Sequence, residues 1–111
     1  MIYKINLDKA TLSREFTALL RTGSYVYGYR EVTRLLKRGS CKALILAEGS
    51  AEHVYNDVLY YARLSNTPVL IYKGSSKELG GLLGKRFPIS VLAIVKEGEC
   101  RLLTLVREQH G

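Results

Sequence analysis

The sequence predicts an α/β protein, a three-layer α/β/α sandwich built around a small mixed sheet. Three short runs, residues 43–47, 69–72 and 91–95, are almost entirely apolar, and such runs are typical of interior strands that are covered on both faces. Helical patterns alternate with these strands along the chain, which favours helices on both sides of one sheet. The 111 residues are expected to form one domain, 1–111, because two domains of half that size would each bury too small a core.

The N-terminal part of the chain predicts a helix between two short strand candidates. Residues 1–7 alternate between apolar and polar side chains, and either a short edge strand or a loose leader fits this pattern. Asp8 is a predicted N-cap for a helix that ends at Gly23. The apolar residues of this helix recur at helical spacing, at Leu12, Phe16, Leu19 and Leu20. Residues 25–27 are predicted to form a short strand.

Residues 28–50 predict a basic helix that is followed by a buried strand. The helix is expected between Gly28 and Gly39, and its apolar stripe falls at i, i+3 and i+4, at Val32, Leu35 and Leu36. Five basic residues lie on or beside this helix: Arg30, Arg34, Lys37, Arg38 and Lys42. After the strand 43–47 the chain turns at residues 48–50, and Ser50 is a predicted N-cap for a helix that runs to about Ser65.

The second half of the chain predicts a short capped helix and leaves the structure of the tail open. Ser75 and Glu78 fit a capping box, and the helix that they begin is expected to end at Gly84, before a loop at residues 85–88. The tail could return as the second strand of a hairpin. It fits a terminal helix equally well, because apolar residues recur at i, i+3 and i+4, at Leu102, Leu105 and Val106.

The charge of the chain favours a polyanionic partner. A net charge of +7 and a pI near 9.6 suit nucleic acid, an acidic protein or an anionic membrane surface. No apolar run approaches about 18 residues and no signal peptide is recognisable, so we expect a soluble intracellular protein with no membrane span. Cys41 and Cys100 have no CxxC spacing and predict free, packed thiols, with a single disulfide as the alternative.

The sequence contains no pattern that is typical of a catalytic site. His53 and His110 are the only histidines, and neither has a second ligand at metal spacing. The glycines at 80, 81 and 84 superficially resemble a phosphate loop, but Leu79 precedes Gly84 by five positions and Arg86 follows Lys85 where serine or threonine is required. No nucleophile elbow and no pair of carboxylates suggests acid–base chemistry. We therefore expect no enzyme, metal, cofactor or small-molecule substrate.

Binding of a polyanion has better support from two segments. Gly28 begins a helix whose unpaired amides and positive dipole end suit a phosphate, and Arg30 and Arg34 follow within two turns. An ordinary solvated basic face is the alternative. The loop Lys85, Arg86, Phe87, Pro88 and Ile89 places an aromatic ring among cations, where unpaired RNA bases can stack. The alternative is a Phe87 side chain that folds back on the core.

Four segments of the chain, taken in order and spacing, resemble the ribosomal protein L-thirty-e family of archaeal and eukaryotic large subunits, within the superfamily of kink-turn RNA-binding proteins. They are GYREVTRLLKRG at 28–39, KALILA at 42–47, YYARLSNTPV at 60–69 and ELGGLLGKRF at 78–87. The resemblance implies a four-stranded sheet, a helical tail, and a partner in sharply bent ribosomal RNA together with neighbouring ribosomal proteins. It also implies a protein that is cytoplasmic, in the ribosome, that is a monomer when free, and that has no membrane partner.

In that family three elements grip the RNA, and the resemblance carries them onto this chain by position. They are the glycine-led helix start (Gly28, Tyr29, Arg30), the middle turn (Glu48, Gly49, Ser50) and the loop 85–89. Family members often have an asparagine in the middle turn, where this chain has Gly49 preceded by Glu48. A kink-turn protein of a guide-RNA or ribonuclease particle is an alternative, although relatives of that kind carry asparagine-glutamate where this chain has Arg30 and Glu31. A protein-interaction adaptor of the same fold is a further alternative, but it would be acidic.

Overall fold

Strands and helices alternate along most of the chain in the computed structural model, which describes residues 2–110. In chain order the elements are β1 Ile2–Lys4, α1 Lys9–Thr22, β2 Ser24–Tyr27, α2 Tyr29–Arg38, β3 Ala43–Ala47, α3 Glu52–Ser65, β4 Val69–Tyr72, α4 Ser76–Leu82, β5 Val91–Lys96 and α5 Leu102–His110. None of the helices in this described part of the chain is long and apolar enough to cross a membrane.

The sheet has five strands in the order β1-β4-β3-β5-β2, so the expected number of four is wrong. The additional strand is β1, which runs parallel to β4 and pairs Ile2 with Val69. The edge-strand interpretation of the first residues is therefore correct for residues 2–4, whereas Met1 lies outside the described residues. β3 is parallel to β4, and β5 is antiparallel to both β3 and β2, which makes the sheet mixed.

The predicted three-layer sandwich is confirmed by the way in which β3 divides its side chains between two cores. Ala43, Ile45 and Ala47 pack with α1, α4 and α5 on one face of the sheet. Leu44 and Leu46 pack with α2 and α3 on the other face. Since successive side chains of a strand point to opposite faces, an all-apolar strand requires apolar layers on both sides.

The tail is a helix, and the hairpin alternative is wrong. β5 already pairs with β3 on one side and β2 on the other, so it has no free edge for a returning strand. The adjacent residues Leu102 and Leu103 are both buried, together with Val106, while Thr104 is exposed. This pattern fits the helical period, because a strand would turn two adjacent residues to opposite faces.

The helix ends agree with the predictions except at Ser50 and at the end of α4, which ends at Leu82 and not at Gly84. Gly39 ends α2 in the left-handed conformation, with φ of 70°, and Ser75 and Glu78 form the predicted capping box. Ser50 is not the N-cap of α3, which is Ala51. Its hydroxyl instead donates to the carbonyl oxygens of Ala47 (2.6 Å) and Ser90 (3.2 Å).

Both cysteines are free, which confirms that prediction. Cys100 is buried and Cys41 is half-buried. Burial raises the pKa of the Cys41 thiol to about 11, and burial also raises the pKa of Cys100. Neither thiol is therefore activated as a nucleophile near neutral pH.

A buried carboxylate joins α1 to the start of α5. Glu15 is only 5% exposed, and it completes the buried face of α1, whereas Leu20 is exposed. Oε1 of Glu15 accepts a hydrogen bond from the backbone N–H of Arg101, at an N···O distance of 2.6 Å. Oε2 accepts one from the Nε–H of Arg14, at 3.3 Å. Because Arg101 directly precedes α5, Glu15 supplies an acceptor to the unpaired start of that helix.

Removing this acceptor should destabilise the protein. We expect Glu15→Ala to lower the free energy of unfolding by about 1–3 kcal/mol, since it removes the buried carboxylate that accepts the partly buried N–H of Arg101. Glu15→Gln keeps an oxygen of similar size and should lose less. Arg14→Ala removes the exposed partner of the same carboxylate and should cost less than about 1 kcal/mol. Urea unfolding measures all three variants, and an alanine variant as stable as the parent would contradict this role.

Candidate nucleic-acid interface

The sheet topology brings the three predicted binding segments to one edge of the molecule. β2 and β3 both run antiparallel to β5, so their carboxyl ends lie beside the first residues of β5. Tyr27 pairs with Leu92 and Leu46 pairs with Val91. The helix start after β2, the turn after β3 and the loop before β5 are consequently neighbours. We call residues 27–30, 48–50 and 85–89 the strand-end surface.

Backbone hydrogen bonds fix these segments to the first residues of β5. The N–H of Gly28 donates to the carbonyl oxygen of Val91 at 3.2 Å. The N–H of Ala47 and the hydroxyl of Ser50 both donate to the carbonyl oxygen of Ser90, at 2.9 and 3.2 Å. The helix start and the middle turn are thus held mainly by backbone hydrogen bonds, with one bond from the hydroxyl of Ser50.

The start of α2 presents backbone donors at this surface. Gly28 is the N-cap, with φ of 97° and no side chain to cap the helix. The first intrahelical bond is donated by Val32 to the carbonyl oxygen of Gly28, so the amides of residues 29–31 precede it. A Cβ on Gly28 would meet no atom within 4 Å. Glycine is therefore required here by the positive φ, and the space in front of the helix start is open.

Tyr29 is held against α3 by contacts that the sequence analysis did not identify. Its hydroxyl donates to Oδ2 of Asp57 at 2.5 Å, and its ring lies 6.3 Å from that of His53, measured between centroids. The hydrogen bond to Asp57 raises the pKa of Tyr29. This contact positions the first turn of α2 against α3. Neither Asp57 nor His53 had a recognisable signal, since each is an ordinary polar residue in the first two turns of an amphipathic helix.

The predicted cations of the surface differ in their availability. Arg30 and Arg86 are exposed and form no ion pair within residues 2–110. Arg34 lies 3.6 Å from the carboxylate of Glu31, which partly neutralises it. Nζ of Lys85 lies 5.9 Å from the ring centroid of Tyr27. Arg30 and Arg86 are therefore the cations best placed to meet a phosphate.

Phe87 is exposed and packs on a second aromatic ring. Its side chain is 45% exposed, and its ring centroid lies 5.7 Å from that of Tyr27. Tyr25 lies on the same side of β2, with its ring centroid 6.4 Å from that of Tyr27. The sequence analysis missed Tyr27, although the alternation of Tyr25 and Tyr27 in a strand that leads to Gly28 was a visible signal.

The rest of the loop is anchored to the body of the protein. Ile89 is only 2% exposed, and its N–H donates to the carbonyl oxygen of Ser76 at 2.9 Å. Its side chain therefore belongs to the core, whereas Pro88 is exposed beside Phe87. On the other side of the loop the N–H of Lys85 donates to the carbonyl oxygen of Gly80 at 2.9 Å.

The middle turn uses its backbone donors internally. The N–H groups of Glu48 and Gly49 donate to Tyr72 and Gly74, and that of Ser50 donates to Ala47. A Cβ on Gly49 would lie 3.3 Å from Cα of Ser75, so α4 begins directly against this turn. The exposed functional group of the turn is the carboxylate of Glu48. The turn can accept hydrogen bonds but has no free backbone donor among residues 48–50.

Comparisons with known proteins place the chain among ribosomal proteins. The profile of the ribosomal protein L7Ae/L30e/S12e/Gadd45 family matches residues 10–104. Large ribosomal subunit protein eL30 of Sulfurisphaera tokodaii is 42% identical over 94 residues, which cover 85% of this chain and 89% of that protein. The protein of the same name from Saccharolobus solfataricus is 34% identical over 106 residues, which cover 96% and 98%. A solved structure of a protein with unknown function from Bacillus halodurans shares the fold, with a TM-score of 0.68 at 20% identity over 89% of this chain and 94% of that one.

Two adjacent glycines of α4 test how tightly the loop is held. A Cβ on Gly80 would overlap the carbonyl oxygen of Phe87, whereas a Cβ on Gly81 would meet nothing within 4 Å. We expect Gly80→Ala to lower the free energy of unfolding by about 1–3 kcal/mol, the usual cost of overpacking. Gly81→Ala should raise it by about 0.5–1 kcal/mol, the helix preference for alanine. Urea unfolding compares the two variants, and equal effects would show that the loop moves freely away from α4.

Proposed function

Because the chain belongs to the ribosomal protein L7Ae/L30e/S12e/Gadd45 family, we propose that it is a structural constituent of the large ribosomal subunit that binds sharply bent, kink-turn-like ribosomal RNA. The observation that carries this proposal is the strand-end surface, which combines a helix start without a side-chain cap, an arginine with no ion pair in the described part of the chain, and an exposed aromatic ring. The role is one of binding and support in the assembled ribosome, without a catalytic step. Its partners are ribosomal RNA and neighbouring ribosomal proteins, and the free protein is a monomer.

In this proposal the start of α2 binds phosphate. The amides of residues 29–31 and the positive end of the helix dipole attract an anion. Arg30 adds a planar fork that suits a phosphate. Sharply bent RNA brings several phosphates close together, and a protein with a net charge of +7 gains from their concentrated field. These contacts position the protein on the RNA without reading its sequence.

Phe87 supplies a stacking contact that bent RNA can use and a continuous duplex cannot. A bulged or flipped base has a free face, and stacking on an aromatic ring is tolerant of base identity. Tyr27 packs against Phe87 and thereby holds its ring in an orientation in which 45% of the side chain stays exposed. Lys85 and Arg86 directly precede Phe87 in the loop and add attraction for the adjoining RNA backbone.

The middle turn makes a different kind of contact in this proposal. Because Glu48 is anionic, it repels phosphate but can accept a proton from the exocyclic amino group of a base. Gly49 and Ser50 support the surface through their internal hydrogen bonds rather than through donors of their own. Arg34, paired with Glu31, contributes mainly to the positive field around the helix.

The proposal is tested by comparing two RNAs of the same composition, one that forms a kink-turn and one that forms a continuous duplex. We expect tighter binding to the kink-turn at every salt concentration, because only the bent RNA presents an unpaired base together with clustered phosphates. Equal affinity for the two RNAs would refute recognition of bent RNA. Co-sedimentation with the large subunit at low salt, and release at high salt, tests the ribosomal role. A protein that binds the kink-turn but not the subunit would belong to another RNA particle.

The phosphate role of Arg30 predicts a specific change in salt dependence. If about five phosphates are neutralised, the logarithm of the binding constant should fall with the logarithm of salt concentration at a slope of about −4. Arg30→Gln should reduce that slope by about 1, on both RNAs alike. Arg107→Gln removes the same charge from α5, on the other side of the sheet, and should leave the slope unchanged. A filter-binding series over several salt concentrations decides the matter, and a slope near zero for the parent would rule out the electrostatic account.

The stacking role of Phe87 predicts a loss that is confined to bent RNA. Phe87→Ala should weaken binding to the kink-turn by about 1–3 kcal/mol, the usual contribution of a stacked base, and should scarcely affect the continuous duplex. Tyr60→Ala removes another exposed aromatic ring, which lies on α3 away from the strand-end surface, and serves as the control. Gel-shift titrations of both variants provide the comparison. Unchanged affinity of Phe87→Ala would reassign Phe87 to packing with Tyr27.

A further inference from the structure

A second surface lies where α2 and α3 end, opposite the strand-end surface. The two helices begin near each other, since Tyr29 contacts Asp57, and they also end near each other. Their last turns form a groove of about 380 Å³, whose lining includes Leu36 and Tyr61. α2 has 10 residues, so the groove is about 15 Å from Gly28 along the helix. A partner could therefore occupy the groove while the strand-end surface is engaged.

The groove and the adjoining face of α3 carry two strongly exposed apolar side chains. Leu64 lines it and is 67% exposed, the highest value among the large hydrophobic residues described, and Tyr60 follows at 58%. The two residues are four positions apart on α3 and thus share one face of the helix. Three other exposed large hydrophobic residues, Tyr27, Tyr29 and Phe87, belong to the strand-end surface. Apolar exposure of this kind marks interaction sites when it is clustered.

The charged groups of the groove are all positive. Lys37 and Arg38 line it, and no carboxylate is among the lining residues within the described chain. Nζ of Lys37 lies 5.0 Å from the ring centroid of Tyr61. Within residues 2–110 neither Lys37 nor Arg38 forms an ion pair, so both can meet charges of a partner.

We infer that the groove binds an acidic protein segment that inserts an apolar side chain between the ends of α2 and α3. Leu64 and Tyr61 would cover that side chain, and Lys37 and Arg38 would pair with the flanking carboxylates. The Leu64 side chain, unlike an aromatic ring, offers no stacking face to a base. A peptide also brings backbone N–H donors that suit the carbonyl groups at the ends of both helices, whereas a phosphate brings none. A second copy of the chain is a poor occupant, since it would bring a net charge of +7 to a basic groove.

The inference is tested by titrating the ¹⁵N-labelled full chain with a short synthetic peptide that is rich in glutamate and carries two leucines one helical turn apart. We expect saturable changes in the amide signals of residues 36–39 and 60–66. Leu64→Ser should weaken binding about tenfold or more, because the apolar contact is lost. Leu20→Ser, at an exposed leucine of α1 outside the groove, should bind as the parent does. Unchanged signals elsewhere in the spectrum verify that each variant is folded.

Three control titrations give the outcomes that would overturn the inference. A peptide with lysine in place of glutamate should not bind, and equal binding would remove the role of Lys37 and Arg38. Oligouridylate that shifted the groove signals would make the groove an RNA site. Concentration-dependent shifts of the same signals in the free protein would make it a contact between copies. The absence of any change with the glutamate–leucine peptide at millimolar concentration would also refute the inference, and none of these results depends on binding at the strand-end surface.

Discussion

Ser90 and Val91, at the point where β5 begins, accept hydrogen bonds from segments that are far apart in the sequence, and the rest of the candidate site depends on these bonds. The carbonyl oxygen of Val91 accepts the N–H of Gly28. The carbonyl oxygen of Ser90 accepts both the N–H of Ala47 and the hydroxyl of Ser50. Because β5 lies between β2 and β3, the same strand that closes the sheet also aligns a helix start with a turn. The loop that carries Phe87 ends at Ser90 and is therefore placed by the same pairing. The candidate site is thus positioned by the sheet itself, and positioning of this kind lowers the entropic cost of recognition.

Local patterns in the sequence predicted most of the fold, and the misses came from contacts between distant residues. The apolar runs and helical spacings identified four of the five strands. They did not decide whether residues 1–7 form a strand or whether the tail is a strand or a helix. The pairing of Ile2 with Val69 could not be inferred from three residues that alternate in polarity. Ser50 looked like an N-cap because its hydroxyl can bond locally, but the carbonyl of Ser90 competed for it across 40 positions. The tail was decided by the absence of a free edge on β5, which is a property of the whole sheet.

The sequence predicted which segments form the candidate site. The exposure and the partners of the individual residues in those segments became visible only in the structure. The sequence identified Gly28, Arg30 and Phe87, which the structure leaves accessible at one edge. It could not show that Ile89 is buried, that the amides of the middle turn are already used, or that Arg34 has Glu31 as a partner. Tyr27 was missed because its importance comes from contact with a ring in another segment. Proximity across the sheet is the information that a single sequence lacks.

The two outer strands of the sheet bear on how the protein behaves at high concentration. Within residues 2–110 β1 has three residues and β2 has four, with an irregular register between Ser24 and Tyr25. Short and distorted edges are poor templates for the addition of another strand. Together with the strong positive charge, they oppose aggregation through the sheet. The strands that complete the sheet therefore also limit its growth by strand addition.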